Sequence, residues 1–143
     1  MSSMTIILPA HELPPPSPTA FERCVLVLED DRTTQMLLAG GLRRAGYKVK
    51  TATRLSDARA IMKEGGVDLL ITDGLLPDGS GYEFIKEVRS GDTELPILFL
   101  SAFFKDMRSF QSLKKDLGVD GVLHKPVALL DLLGRVAEAL SDA

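Results

Sequence analysis

The sequence predicts an α/β protein, an open, doubly wound parallel sheet of five strands with five helices on its two faces. Three observations predict it. From Arg23 onward, five strand-like segments alternate strictly with five amphipathic helical segments. Most of the strand segments are apolar throughout, the pattern of strands buried on both faces. Hydrophobic residues make up 45% and charged residues 26% of a 143-residue chain, which suits one globular core. Right-handed crossovers leave few ways to wind such a sheet.

The first 22 residues stand apart. MTIILPA (4–10) is a short apolar run, and HELPPPSPTAFE carries prolines at 14, 15, 16 and 18. Such a stretch favours extended polyproline geometry, so 1–22 is read as a Pro-rich tail or linker and 23–141 as the domain. CVLVL (24–28) is a buried strand, followed by a helix from about Thr33 to Ala45 that stops at Gly46. Gly40 and Gly41 oppose that helix by about 1 kcal/mol each, while its stripe of Leu38, Leu42 and Ala45 supports it. YKVKT (47–51) alternates, as an edge strand does. Ser56 is positioned to cap a second helix with Ala58, Ile61 and Met62 on one stripe, ending at Gly65–Gly66. VDLLITD (67–73) is the next buried strand. SGYE (80–83) has capping-box spacing and opens a helix burying Phe84, Ile85 and Val88. PILFL (96–100) is a strand, and Phe110, Leu113 and Leu117 mark a fourth helix ending at Gly118. GVLH (121–124) is the fifth strand. Leu129, Leu132, Leu133, Val136 and Leu140 form the inner stripe of the last helix.

Composition excludes several classes of function. The formal charge is −3 and no Lys/Arg block occurs, so no nucleic-acid partner is expected. The single cysteine, Cys24, excludes an internal disulfide framework and a Cys-rich zinc site, and its place beside an apolar run suits burial. No apolar run approaches the roughly 20 residues of a membrane span, and the amino terminus lacks a basic signal-peptide start. A cytoplasmic chain without membrane contact is the expectation.

In open α/β sheets, ligands bind beyond the carboxyl ends of the strands. The first strand delivers Glu29, Asp30 and Asp31 there, the third Asp73, the fourth Ser101, and the fifth Lys125 followed by Pro126. Adjacent carboxylates repel and resist ionisation, so a shared cation explains the crowding. Oxygen ligands without Cys or His fit Mg²⁺ or Mn²⁺. With a hydroxyl and a lysine they read as a phosphoryl site. Asp73 would be the nucleophile, Lys125 would neutralise charge and Ser101 would donate a hydrogen bond. Gly74 would leave the approach to Asp73 open.

VLVLEDD, DLLITDGLLPDGSG, PILFLSA and GVLHKP, in this order and spacing, resemble the receiver domains of two-component response regulators over residues 23–141. The resemblance implies a CheY-like (flavodoxin-like) fold with strand order 2-1-3-4-5. It implies that Asp73 accepts phosphate from a phosphohistidine on a histidine kinase or histidine phosphotransfer protein, and passes the signal to an unknown downstream protein by contact. Asp30 and Asp73 would bind Mg²⁺ with the Leu75 carbonyl, and Glu29 would help through water. Ser101, Lys125, Gly74 and Ala102 would contact the phosphoryl group, and the Lys125–Pro126 bond would be cis. Asp31 is left to the amino terminus of the first helix. The short TIILPAHELPPP resembles the segment before the receiver of a hybrid histidine kinase. A stand-alone regulator and a receiver module of such a kinase therefore both stay open.

Departures from the pattern are specific. Val122 stands where receivers have a ring that turns inward on activation, so that coupling is absent or rerouted. Leu75 and Phe103 occupy positions that handle the hydrolytic water, which implies slow self-dephosphorylation. Self-phosphorylation from small donors is the most enzymatic activity expected. Two alternatives remain: a degenerate receiver that binds partners without phosphorylation, and a Mg²⁺-dependent aspartyl-phosphate phosphatase, which the apolar Leu75 disfavours. The bland readings are an acidic surface cluster, helix caps at Asp73 and Ser101, a loop lysine at 125, and packing for Phe103, Phe104, Met107 and Phe110. His11 and His124 are not read as ligands.

Overall fold

The computed structural model describes residues 23–102, 111 and 114–141. The tail and the expectations on residues 103–110 and Leu113 lie outside them. The described elements are β1 (Cys24–Leu28), α1 (Arg32–Arg44), β2 (Lys48–Ala52), α2 (Leu55–Glu64), β3 (Leu69–Asp73), β4 (Leu75–Leu76), β5 (Gly79–Ser80), α3 (Gly81–Gly91) and β6 (Ile97–Ser101). They continue with α4, helical over 114–117, then β7 (Gly121–His124) and α5 (Leu129–Ser141). Five strands form one sheet in the order β2-β1-β3-β6-β7, all neighbours parallel. This is the expected 2-1-3-4-5 winding. A two-residue antiparallel hairpin, β4 with β5, was not expected and interrupts the numbering between β3 and α3.

Alternation within the strands splits the core into two layers. Leu26, Leu28, Leu70, Ile97 and Phe99 face α2 and α3, and Val25, Val27, Ile71, Leu98 and Leu100 face α1 and α5. Most of these are completely buried, and each is worth roughly 1.5–3 kcal/mol of transfer free energy. Register then sets the rim. Leu28 pairs with Thr72, Asp73 with Leu100 and Ser101 with His124. The residue leaving each strand therefore emerges at nearly the same height as its neighbour.

Helix ends follow local chemistry in most places. Asp31 caps α1, its carboxylate accepting from the Thr34 N–H, as expected. Ser80 caps α3 by accepting from the Glu83 N–H. Gly46, Gly65 and Gly118 all have positive φ at helix ends. The assignment of Ser56 as a cap is corrected. Helix α2 begins two residues earlier, after Arg54, which makes no side-chain cap. Its free N–H groups are met from a distance: the Asp78 carboxylate accepts from Leu55 N at 2.7 Å and Ser56 N at 3.1 Å. Those bonds hold Asp78 below the usual carboxylate range and tie the β4–β5 hairpin to α2.

The two glycines of α1 differ. A Cβ at Gly40 would meet open space, whereas one at Gly41 would collide with Leu129 Cδ1 of α5. Gly40→Ala is expected to stabilise the domain by about 1 kcal/mol in urea unfolding. Gly41→Ala should fall well short of that gain because Leu129 must move. Equal gains would show that the α1–α5 contact does not depend on the bare position.

Candidate functional site

The C-terminal rim of β1, β3, β6 and β7 brings together residues far apart in the chain. Glu29 is completely buried and Asp73 nearly so, while Asp30 is exposed. A carboxylate oxygen from each of Glu29, Asp30 and Asp73 lies within 4.8 Å of the others. Lys125 joins them, its Nζ 2.8 Å from Asp73 Oδ2 and 2.5 Å from Glu29 Oε1. Glu29 Oε2 accepts from the Asp31 N–H at 3.2 Å. Its other oxygen, Oε1, touches Lys125 without regular hydrogen-bond geometry and is otherwise unpartnered.

These contacts set the electrostatics. Burial pushes the Glu29 carboxyl above its ordinary 4.5, and the neighbouring Asp73 carboxyl pushes it further, against the pull of Lys125. Burial would lower Lys125, but its bonds to Asp73 and Glu29 together outweigh that and raise it. Asp31 is held low by its bonds from Thr34. It faces the helix and not the acidic group, as the sequence reading had it.

The remaining expected residues are placed as follows. Ser101 ends β6, is buried, and its carbonyl accepts from the Lys125 N–H at 2.8 Å. Ala102 follows it, exposed. The Lys125–Pro126 peptide is cis. Leu75 opens the hairpin with its side chain 79% exposed. Val122 is buried in β7, in register with Phe99 of β6. The missing side chain of Gly74 makes room for the Phe99 ring as well, since a Cβ there would stand 2.8 Å from Phe99 Cζ. Three supporting residues were missed in the sequence. A Cβ at Gly81 would strike the Asp73 carbonyl, the Thr72 hydroxyl donates to that carbonyl, and Gln35 is buried against the carbonyl ends of β1 and β2. Thr72 and Gly81 lie within the DLLITDGLLPDGSG stretch without a role of their own being read there, and Gln35 lies in none of the matching stretches.

Three oxygen donors, one on a completely buried carboxylate whose Oε1 meets only the Lys125 ammonium, fit a hard divalent cation that keeps several waters and shares its shell with phosphate. Comparison with known proteins gives the family. Residues 25–137 match the model of the response regulator receiver domain. The chain belongs to that family. The transcriptional regulatory protein CusR of Escherichia coli is 34% identical over 116 residues, 81% of this chain and 50% of that protein. NtrC of Rhizobium meliloti, a DNA-binding transcriptional regulator, is 29% identical over 82% of this chain and 24% of its own length. This receiver therefore spans half or less of these curated relatives. Among solved structures, the chemotaxis response regulator CheY4 of Vibrio cholerae superposes with a TM-score of 0.74 at 30% identity, covering 82% of this chain and 98% of that one. The non-phosphorylated HemR receiver domain of Leptospira biflexa gives 0.75 at 28%, covering 83% and 94%. The receiver is thus a signalling module of two-component systems. Among its described residues, no helix is long and apolar enough to cross a membrane.

The raised Glu29 makes a signed prediction for the metal-free receiver. An acid whose folded value lies above its unfolded value contributes stability that is full below the unfolded value and lost as pH rises through the folded one. Urea unfolding in chelator from pH 4.5 to 8 should therefore show Glu29→Gln gaining on the wild type as pH rises. A difference independent of pH would show that Glu29 carries no such strain.

Proposed function

We propose that Asp73 is the phosphoacceptor of this receiver, charged by a phosphohistidine on a histidine kinase or histidine phosphotransfer protein. Mg²⁺, or Mn²⁺ in its place, would be held by Glu29, Asp30, Asp73 and the Leu75 carbonyl. One observation carries the reading. The Asp73 carboxylate ends the central strand β3 in contact with the Lys125 ammonium, and two further carboxylates lie within a metal's reach of it. An Asp73 oxygen attacks phosphorus while the P–N bond to the donor imidazole breaks. The electron pair leaves with the ring nitrogen, which is protonated from solvent, and an acyl phosphate remains. Bound Mg²⁺ would supply charge neutralisation on the phosphoryl oxygens. Lys125 needs only to follow an oxygen of the new group, and the Ser101 hydroxyl, Gly74 and Ala102 complete its contacts. The added charge biases two arrangements of the face around β6 and β7, and the output is a protein contact. The reading is of a switch and not of an enzyme that turns over small phosphate esters.

Incubation with Mg²⁺ and acetyl phosphate should give a single phosphoryl adduct by intact mass, absent without Mg²⁺ and absent in Asp73→Asn. An adduct that persists in Asp73→Asn would overturn the assignment. Free Mg²⁺ at about 100 times its dissociation constant should stabilise the receiver by about 2.7 kcal/mol, and Asp30→Asn should remove most of that gain. The phosphorylated form should outlast a few seconds by a wide margin because Leu75 cannot orient a water. A half-life of only a few seconds would contradict this, as would an unchanged half-life in Leu75→Asn.

A further inference from the structure

The β1–α1 turn carries two carboxylates, Glu29 and Asp30, that repel each other and the Asp73 carboxylate across the rim. Something must hold the backbone of that turn against the repulsion. The ladder between β1 and β2 ends with Leu28 opposite Ala52, so the Glu29 peptide lies beyond regular pairing. The Glu29 N–H still donates to the Ala52 carbonyl at 3.0 Å. The Glu29 carbonyl accepts from a side chain, Gln35 Nε2, at 3.0 Å. The same nitrogen donates its second hydrogen to the Ala52 carbonyl at 3.1 Å. Gln35 is 9% exposed, so both bonds are sheltered from water.

The main chain of Gln35 acts on the same turn. Its N–H donates to the Asp31 carbonyl at 2.9 Å. Asp30 thus lies between two carbonyls, those of Glu29 and Asp31, and Gln35 binds both, one through its side chain and one through its backbone. The peptide plane joining Glu29 to Asp30 carries the Glu29 carbonyl and the Asp30 N–H. An uncompensated rotation in ψ of Glu29 or φ of Asp30 would move that carbonyl and turn one acidic side chain relative to the other. The amide bond resists the rotation, because the freed carbonyl would otherwise be left buried without a donor.

From this geometry we infer that Gln35 is a positioning residue for the cation site, setting the Glu29–Asp30 backbone so that the carboxylates converge before any cation arrives. It touches neither cation nor phosphate. It acts from the outer shell, where losing a partner typically weakens metal affinity by about 10- to 100-fold. The inference rests on the Mg²⁺-binding reading above, and the experiment keeps the two failures apart.

Gln35→Met keeps the length and most of the volume while removing the donor. Mg²⁺ titration of backbone amide resonances should give at least a tenfold higher dissociation constant for Gln35→Met than for wild type. Leu133→Ala, a cavity variant in the core layer facing α1 and α5, serves as a destabilised control and should leave the constant within about twofold. An unchanged constant in Gln35→Met, with or without lost stability, would make Gln35 merely structural and overturn the inference while leaving the Mg²⁺ reading intact. A wild type that shows no Mg²⁺-dependent shifts would overturn both. Wild-type protein alone supplies a second test should Gln35→Met fail to fold. The Gln35 side-chain amide protons should exchange slowly and shift on Mg²⁺ addition. Free exchange with no shift would reject the role.

Discussion

Everything at the rim depends on holding acids together that would separate if free. Two unit charges at the 4.8 Å limit that brackets Glu29, Asp30 and Asp73 repel by roughly 3–4 kcal/mol at an effective dielectric of about 20. A typical hydrogen bond contributes only about 1 kcal/mol net. No single contact can therefore keep the carboxylates converged, and the restraint has to be distributed. It comes from a sheet whose β1 and β3 are buried along their whole length and from one ammonium, Lys125, placed between the two buried acids. The cost of that arrangement falls mainly on Glu29, which is completely enclosed and has one oxygen met by nothing but the Lys125 ammonium. A domain selected for stability alone would not keep it there.

The sheet was legible in the sequence because strands buried on both faces must be apolar and helices must carry a stripe, and both patterns survive in one dimension. CVLVL, VDLLITD and PILFL read as strands. The acidic residues and Lys125 were legible for a related reason: each directly follows such a run, so the strand's end places it. Asp31 was separable from its neighbours because the resemblance does not require an acid there and it stands at the amino terminus of the first helix, where its carboxylate accepts from the Thr34 N–H.

What escaped the sequence depends on partners far apart in the chain. Ser56 looks like a helix cap by composition, yet α2 takes its capping acceptor from Asp78, 22 residues beyond Ser56. A local rule cannot see that substitution. Gln35 reads as an ordinary polar position on a helix, and only the end of β2, brought under α1 by the crossover, turns it inward. Gly74 reads as an open approach to Asp73, and Gly81 as one residue of a capping box. In fact one yields to the Phe99 ring and the other to the Asp73 carbonyl, close approaches that exist only once β3, β6 and α3 are assembled.

These long-range supports also explain why the segment after Asp73 is built as it is. Its start is confined by Phe99 against Gly74, its middle by Asp78 on the amino terminus of α2, and its end by Gly81 against the Asp73 carbonyl. Leu75 lies inside that frame and still points its side chain to solvent, so the main chain at this position is constrained while the side chain is free to vary. The neighbouring core shows the complementary choice. Val122, small and buried, pairs in register with Phe99, so the aromatic volume beside the site belongs to β6 and is pinned against Gly74. A ring held between a strand and a bare glycine lacks the room that a turning ring requires. On the phosphoacceptor reading proposed above, a rearrangement driven by new charge at Asp73 would start from the Lys125 and Ser101 contacts, the groups at the rim that such a charge can pull.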